Sequence, residues 1–339
     1  MKILFIGGTG LISSACSDLA LERGHELFLL NRSRSGKYPV PAGAQVLVGD
    51  VHGGPAGLAH LLEGRRFDVV VDWIAYTPED VERDIRLFGG QTGQFVFISS
   101  ASAYQKPPAH YLITEQTPLE NPYWQYSRDK IACEQRLLDE HRRSGFPVTI
   151  VRPSLTYGPS QLPLCMNSWE HPYTVVARMK AGRKIIVPGD GSSLWVLTWN
   201  GDFATGFLGL LGNAQALGEA YHITSDEVLT WNQIYTEVGR ALGMALDIVH
   251  VPSDLIAAYD PGMLGSLTGD KANSVVFDNR KIKALVPDFD CRVPWAEGVR
   301  RTLAWFEADT TRRSLDAEVE RRWDAILAAY LGAFPARQG

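Results

Sequence analysis

Over the first 150 residues, short runs that are apolar at nearly every position alternate with longer stretches whose apolar residues recur at helical spacing. Residues 2–6, 26–30, 44–48, 69–73, 94–98 and 147–151 are short, rich in aliphatic and aromatic side chains and closed by Gly, Asn, Asp or Ser, which predicts strands. Between them, residues 11–23 (closed by Gly24), 55–62, 78–88 and 126–143 (closed by Gly145) predict helices. Strands without a polar face must be buried on both sides, and right-handed crossovers leave few other arrangements, so the pattern predicts an α/β fold built on a doubly wound parallel sheet of the Rossmann kind. Beyond Arg152 the regularity fades. Helical patterns persist at 173–181, 202–211, 230–242 and 295–308, with strand-like runs at 184–187, 220–223 and 248–251. The expected organisation is a domain over 1–160 that carries the sheet and a smaller second domain over 161–310 with segments returning to the sheet. A C-terminal amphipathic helix over 311–339 follows, and its stripe of Leu315, Val319, Trp323, Ile326 or Leu327, and Tyr330 is read as core packing.

Composition narrows the function. Of 339 residues, 45% are hydrophobic and 21% charged, the balance of an ordinary globular chain. Lys and Arg number 33 against 38 Asp and Glu, a net charge of −5, so the broad positive field of a nucleic-acid binder is missing and no nucleic-acid partner is expected. No apolar run approaches the ~18 residues of a membrane span, and the run from Ile3 to Ile6 is too short for a signal-peptide core, so a cytoplasmic protein without membrane contact is expected. Cys16, Cys133, Cys165 and Cys291 form no CxxC, which suggests neither a metal site nor a disulfide framework.

The first chemical signal is Gly7-Gly8-Thr9-Gly10-Leu11-Ile12-Ser13, between the first strand and the first helix. Glycines let the backbone approach a pyrophosphate, and the N–H groups at the helix N-terminus bind its charge, so Gly7, Thr9, Gly10, Leu11 and Ile12 are candidate dinucleotide ligands. Ser13 replaces the third glycine, which would set helix and strand slightly further apart. At the end of the second strand, where NAD enzymes carry an acidic residue, stands Leu30-Asn31-Arg32-Ser33-Arg34. Guanidiniums meet a 2′-phosphate bidentately, so NADP is favoured over NAD, with Asn31 and Arg32 reading it. Asp50 and Val51, after the third strand, are placed to contact the adenine.

The second signal is Tyr126-Ser127-Arg128-Asp129-Lys130 at the start of a helix, where a spacing of four puts Tyr126 and Lys130 on one face. Free tyrosine, with a pKa of ~10, is a poor base; an ammonium ~4 Å away would bring it toward neutrality and make it a general acid/base. Upstream, Ser99, Ser100 and Ser102 follow a central strand at the sheet edge where doubly wound folds bind ligands; one could donate to a substrate oxygen, the others capping the turn.

These motifs, with Arg152-Pro153-Ser154-Leu155-Thr156-Tyr157-Gly158-Pro159, Gly189-Asp190-Gly191 and Pro294-Trp295-Ala296-Glu297-Gly298, resemble the extended short-chain dehydrogenase/reductases, the NAD-dependent epimerase/dehydratase family, over the chain to about residue 306. The resemblance implies Tyr126 as acid/base, Lys130 as its electrostatic partner and nicotinamide-ribose ligand, Ser100 as the substrate-orienting hydroxyl and Pro153 against the nicotinamide. Three departures matter. The Asp-Glu pair of family dehydratases is replaced by Ala101 and Ser102, which removes the proton carriers for elimination. Where sugar-nucleotide enzymes often hold a diphosphate with an Arg, this chain has Leu194-Trp195; with Trp169, Tyr173 and Trp199 in nearby segments, an aromatic, largely uncharged pocket is expected, Trp195 being either its wall or a core residue. Asp72-Trp73-Ile74-Ala75-Tyr76 resembles a divergent branch that includes chloroplast RNA-binding proteins lacking the full Tyr/Lys pair. The expectation is an NAD(P)-dependent oxidoreductase, reductase/dehydrogenase or epimerase, acting at a secondary alcohol or ketone of a small sugar-like substrate, with Ser102 and Trp195 as further substrate contacts. A nucleotide-sugar epimerase, and a non-catalytic NAD(P)-binding regulatory or RNA-associated protein, are the alternatives; a homodimer is left open.

Overall fold

The structure, a computed structural model, describes residues 1–32, 38–52 and 55–335, without the side chains of 55–57. Its centre is a seven-stranded parallel sheet. Strands β1 (Lys2–Ile6), β2 (Glu26–Asn31), β3 (Gln45–Val48), β4 (Phe67–Asp72), β5 (Thr92–Ile98), β7 (Val148–Pro153) and β11 (Ala220–Ile223) lie in the order β3-β2-β1-β4-β5-β7-β11. Chain direction reverses its progress across the sheet beside β1, so the crevice above β1 and β4 is the switch point where such sheets take ligands. Successive β1 residues serve opposite faces. Ile3 and Phe5 pack toward α1 (Ser13–Glu22), α6 (Asn200–Leu210) and α10 (Arg280–Leu285), whereas Leu4 and Ile6 belong to the core beneath α2 (Pro55–Leu62), α3 (Pro78–Phe88) and α4 (Gln125–Ser144). This two-sided burial is why the strands read as continuous apolar runs.

A second core lies beyond the carboxyl ends of the strands. There β8 (Leu155–Tyr157) and β12 (Val228–Thr230) flank β10 (Leu194–Trp199), β9 (Ile185–Pro188) pairs with β13 (Ile248–Val251), and β6 (Leu112–Ile113) pairs with β14 (Val276–Phe277). Helices α5 (Tyr173–Lys180), α7 (Trp231–Leu242), α8 (Ser253–Tyr259), α9 (Met263–Ser266), α11 (Trp295–Glu307) and α12 (Ala317–Gly332) complete it. Helix α12 is shorter than the expected 311–339: of its stripe, Trp323, Ile326 and Leu327 are buried in this core and Val319 and Tyr330 pack against it, whereas Leu315 precedes the helix and is exposed. Arg178 of α5 pairs with Glu320 and Asp324 of α12. Strands β8, β10 and β12 have no counterpart in the sequence reading. Leu194–Trp199 is as apolar as the strands of the first 150 residues, but it lies where the regular alternation of strand and helix that marked those has faded.

Among the described residues no helix is long and apolar enough to cross a membrane, and no group of three or more His, Cys, Asp or Glu is arranged to hold a metal ion.

Candidate active site

A cleft of about 860 Å³ runs over the ends of β1, β2, β4 and β5. One wall is the turn from Gly7 to Ser13. Gly8 adopts φ 96°, and a Cβ on it would lie 2.6 Å from Leu29 Cδ2 and 3.3 Å from Phe5 Cβ, so this approach of backbone to sheet admits only glycine. No side chain caps α1, which leaves its first turn to face an anion. The Gly10 N–H donates to Ser13 Oγ (2.8 Å), Ser17 Oγ donates to the Gly8 carbonyl (2.8 Å), and the Asn200 amide of α6 donates to the Leu11 carbonyl (2.8 Å). Ser13, where a third glycine was expected, and Asn200, which the sequence did not flag, thus pin the turn.

Asn31, Arg32, Asp50 and Val51 line the far end of the cleft. Arg32 Nη1 lies 3.9 Å from Asp50 Oδ2 with both side chains well exposed. Arg34, the other candidate phosphate ligand, lies outside the described residues. At the near end stand Ser99, Tyr126, Lys130 and Pro153. Glycine cradle, uncapped helix and a cleft of this size fit a dinucleotide along its length.

Lys130 is fully buried on the first turns of α4. Its Nζ donates to the carbonyls of Ala75 (2.6 Å) and Ile98 (2.8 Å) and lies 4.6 Å from the Tyr76 ring centroid and 5.8 Å from that of Tyr126. Burial pulls its pKa down to about 8, against the opposing pull of Cys133, Asp72 and Glu134. The expectation that Lys130 brings the phenol toward neutrality is corrected here. Burial pushes Tyr126 up to about 12, and the opposing influence is the neighbouring Ser100 hydroxyl, not the ammonium, whose donors face two carbonyls. Tyr126 therefore holds its proton at neutral pH.

Ser100 caps the 3₁₀ turn Ala101–Ala103, its Oγ accepting from the Ser102 N–H (3.2 Å). Ser102 is buried, its hydroxyl 2.9 Å from Ser100 Oγ and accepting from Ser127 Oγ (2.8 Å), so it orients Ser100 from behind. Ser99 turns the other way and donates to Glu134 (2.5 Å), whose carboxylate also takes the Arg152 guanidinium in a two-point contact of 2.9 and 2.5 Å. This buried cluster ties β5, α4 and β7 together. A second cluster holds the loop beneath Lys130: Arg83 Nη2 meets Asp72 (2.9 Å) and Asp84 (2.8 Å) while Nη1 meets Asp80 (3.1 Å), and Asp72 accepts the Ile74 N–H (2.7 Å), shaping the turn that presents the Ala75 carbonyl. In the sequence these α3 charges look like a solvated face.

Behind Tyr126 opens a second cavity of about 220 Å³. Tyr126, Pro153, Ser154, Leu155 and Trp169 line both spaces, and Ser100, Ser102 and Trp195 line the smaller one. Trp195 is at once wall and core: it is 2% exposed, stacks on Trp231 at 5.6 Å, and its indole N–H has no hydrogen-bond partner. The aromatic set differs from expectation. Tyr173 packs on Phe306 in the second core and Trp199 on Tyr157; Trp124 and Phe277 line the cavity with Trp195 and Trp169 instead. The pocket is not uncharged. Lys106, Asp270 and Lys271 stand in its wall, and nothing in their sequence spacing joins residue 106 to 270.

A doubly wound sheet in this strand order, with a glycine turn opening its first helix, defines a Rossmann-type dinucleotide-binding protein. Residues 3–224 match the NAD dependent epimerase/dehydratase family, and the chain belongs to that family. Among its relatives, the chloroplast stem-loop binding protein of 41 kDa b of Arabidopsis thaliana is 28% identical over 277 residues, 77% of this chain and 66% of that protein. The 2-alkyl-3-oxoalkanoate reductase of Stenotrophomonas maltophilia is 28% identical over 270 residues, 72% of this chain and 76% of the enzyme. Among solved structures, dTDP-glucose 4,6-dehydratase of Bacillus anthracis in complex with NAD superposes with a TM-score of 0.73 at 20% identity, covering 92% of this chain and 98% of that one. UDP-glucuronic acid 4-epimerase of Bacillus cereus, with UDP-glucuronic acid and NAD, gives 0.72 at 18%, covering 91% and 99%. These two share the fold with this chain.

Proposed function

We propose that this chain is an NAD(P)-dependent oxidoreductase or epimerase acting at a secondary alcohol or ketone of a sugar-like substrate. The observation that carries the reading is Tyr126, which stands in the wall between the dinucleotide-sized cleft and the smaller cavity, where Ser100 lines the smaller space beside it. A bound nicotinamide supplies the hydride, or accepts it, at the carbon that bears the oxygen. Ser100 holds that oxygen. Tyr126, protonated at neutral pH, gives its proton to the ketone oxygen as the carbon is reduced, and the phenolate regains a proton from solvent; oxidation runs the same steps backwards. Lys130 holds the nicotinamide ribose, and Pro153 packs on the nicotinamide. Water elimination is not part of the reading, since Ala101 and Ser102 carry no carboxylate.

NADP is the favoured cofactor because Arg32, largely exposed at the adenosine end, can leave Asp50 for a 2′-phosphate. Likeness to the stem-loop binding protein favours a second reading, a binding protein without turnover; the Ser100–Tyr126 pair speaks against it. The test is NADPH oxidation with a panel of keto sugars: Tyr126→Phe should lower turnover by at least ~10² with cofactor affinity nearly unchanged. A variant that kept most of its turnover would refute the assignment, and a wild type that holds NADPH without oxidising it would establish the second reading.

A further inference from the structure

We infer that the small cavity behind Tyr126 is a carboxylate-binding subsite, formed by Lys106, Lys271 and Trp195, and that the substrate is an acid. The inference rests on the proposed hydride-transfer reading for the reacting end of the substrate, and on different residues for the other end. Lys106 and Lys271 are 3% and 7% exposed. Between them lies a single carboxylate, Asp270, 3.6 Å from Lys106 Nζ and 3.5 Å from Lys271 Nζ. Two ammoniums and one carboxylate leave one positive charge in the wall of a buried cavity. Burial and the neighbouring Lys271 pull Lys106 down while Asp270 holds it up, so an arriving anion is what keeps both lysines charged. The Tyr126 phenol in the wall and the Cys165 thiol beside Lys271, both pushed up by burial, do not cancel that charge. An uncompensated buried ion is expensive, and a protein keeps one where a ligand completes the pair.

The cluster is built. Asn121 donates to the carbonyls of Ser102 (2.8 Å) and Gly269 (2.7 Å), fixing the segment that bears Asp270 and Lys271 against the serine turn, and the Trp231 indole donates to the Lys271 carbonyl (3.1 Å). Residues Leu267–Lys271 form a π-helical turn, a conformation that recurs at functional sites. The wall offers two ammoniums, one of them 5.8 Å from the Trp195 ring centroid, and the hydroxyls of Ser100 and Ser102 as donors, against the single carboxylate of Asp270, which the two ammoniums already share. A group with one negative charge and several acceptor positions matches that set, and a carboxylate is such a group. A phosphate dianion would over-neutralise it. The volume of about 220 Å³ lies below the ~300–1,000 Å³ of sites for drug-sized ligands, so the acid is small.

The test is calorimetry on the NADP-loaded protein with D-glucuronate, D-glucose and D-glucose 6-phosphate, read as binding and independent of turnover. Glucuronate should bind at least about tenfold tighter than glucose, Lys106→Met and Lys271→Met should each remove most of that preference, and Asp270→Asn should strengthen it. Tyr126→Phe should retain the preference while losing turnover, which separates this proposal from the proton-transfer role. Lys106→Met removes a buried charge and should melt no lower than wild type, so its loss of preference cannot be laid to unfolding. Equal affinity for glucose and glucuronate, no glucuronate binding at about 10 mM, or a preference that survives both lysine variants would overturn the inference. Tighter binding of the sugar phosphate would replace carboxylate by phosphate and overturn it as stated.

Discussion

Replacing Arg83 with Leu tests how the Lys130 environment is held in place. The guanidinium meets three aspartates, but the three do not count equally. Burial and the neighbouring Asp72 push Asp84 well up, which favours its protonated, uncharged form. Although burial works against it, Asp80 is held low by the N–H groups of Tyr76 and Thr77 and by Arg83; two of those three partners survive the substitution. Asp72, in a site with no exposure, keeps the Ile74 N–H and the hydrogen bond with Asp84 but loses the guanidinium it meets. Removing that cation from a buried carboxylate costs about 3–5 kcal/mol. At roughly 2.1 cal/mol/K of unfolding entropy per residue over 339 residues, that lowers Tm by about 4–7 °C. The pH dependence carries a sign. Without its cation Asp72 binds a proton in the folded state that the unfolded chain, with an ordinary carboxyl pKa, releases near pH 4. The folded variant thus binds more protons than its unfolded chain, and its deficit against wild type should narrow as pH falls from 7 to 5. Thermal melts at pH 5, 6 and 7 measure both quantities. A deficit under ~1 kcal/mol, or one that does not change with pH, would refute the reasoning.

Three other outcomes are expected. Gly8→Ala puts a Cβ 2.6 Å from Leu29 Cδ2 at a positive φ and should destabilise by ~1–3 kcal/mol while weakening dinucleotide binding, both readable in melts with and without NADPH. Arg32→Ala should weaken NADPH by ~1–3 kcal/mol with little change for NADH, and equal losses would show that Arg32 does not read the phosphate. Lys130, pulled down to about 8, is an ammonium below that pH and loses its charge above it, so NADPH affinity should fall as pH rises through about 8; a flat titration from pH 7 to 9 would dissociate Lys130 from cofactor binding.

What could be read from the chain follows from how locally each feature is encoded. The doubly wound sheet is written in runs such as Phe95 to Ile98, whose two-sided burial removes all alternation, and in the glycine turn whose position between strand and helix gives it meaning. Tyr126 and Lys130 sit one turn apart on α4, a relation that spacing reveals. Their electrostatic relation was not legible, because the carbonyls that take the Lys130 donors come from Ala75 and Ile98, on two other segments. The same holds for α3, where Asp80, Arg83 and Asp84 look solvent-facing until Asp72 arrives from β4. Trp195 stays open between wall and core in the sequence for a further reason: it sits on a strand that the sequence does not reveal, whose burial makes it both together.

The cluster of Ser99, Glu134 and Arg152 bears on how a protein of this fold can change what it binds. It clamps the three elements that carry Ser100, Tyr126 with Lys130, and Pro153, so this half of the pocket is locked by interior ion pairing. Lys106, Asp270 and Lys271 hang on connecting segments outside that clamp, fastened through Asn121 and Trp231. Side chains there can be exchanged without shifting Tyr126. If the small cavity takes the substrate as proposed, a lineage built on this scaffold can acquire a new one by rewriting a few connecting residues, and an engineer wishing to redirect it would begin at 106, 270 and 271 and leave 99, 134 and 152 untouched.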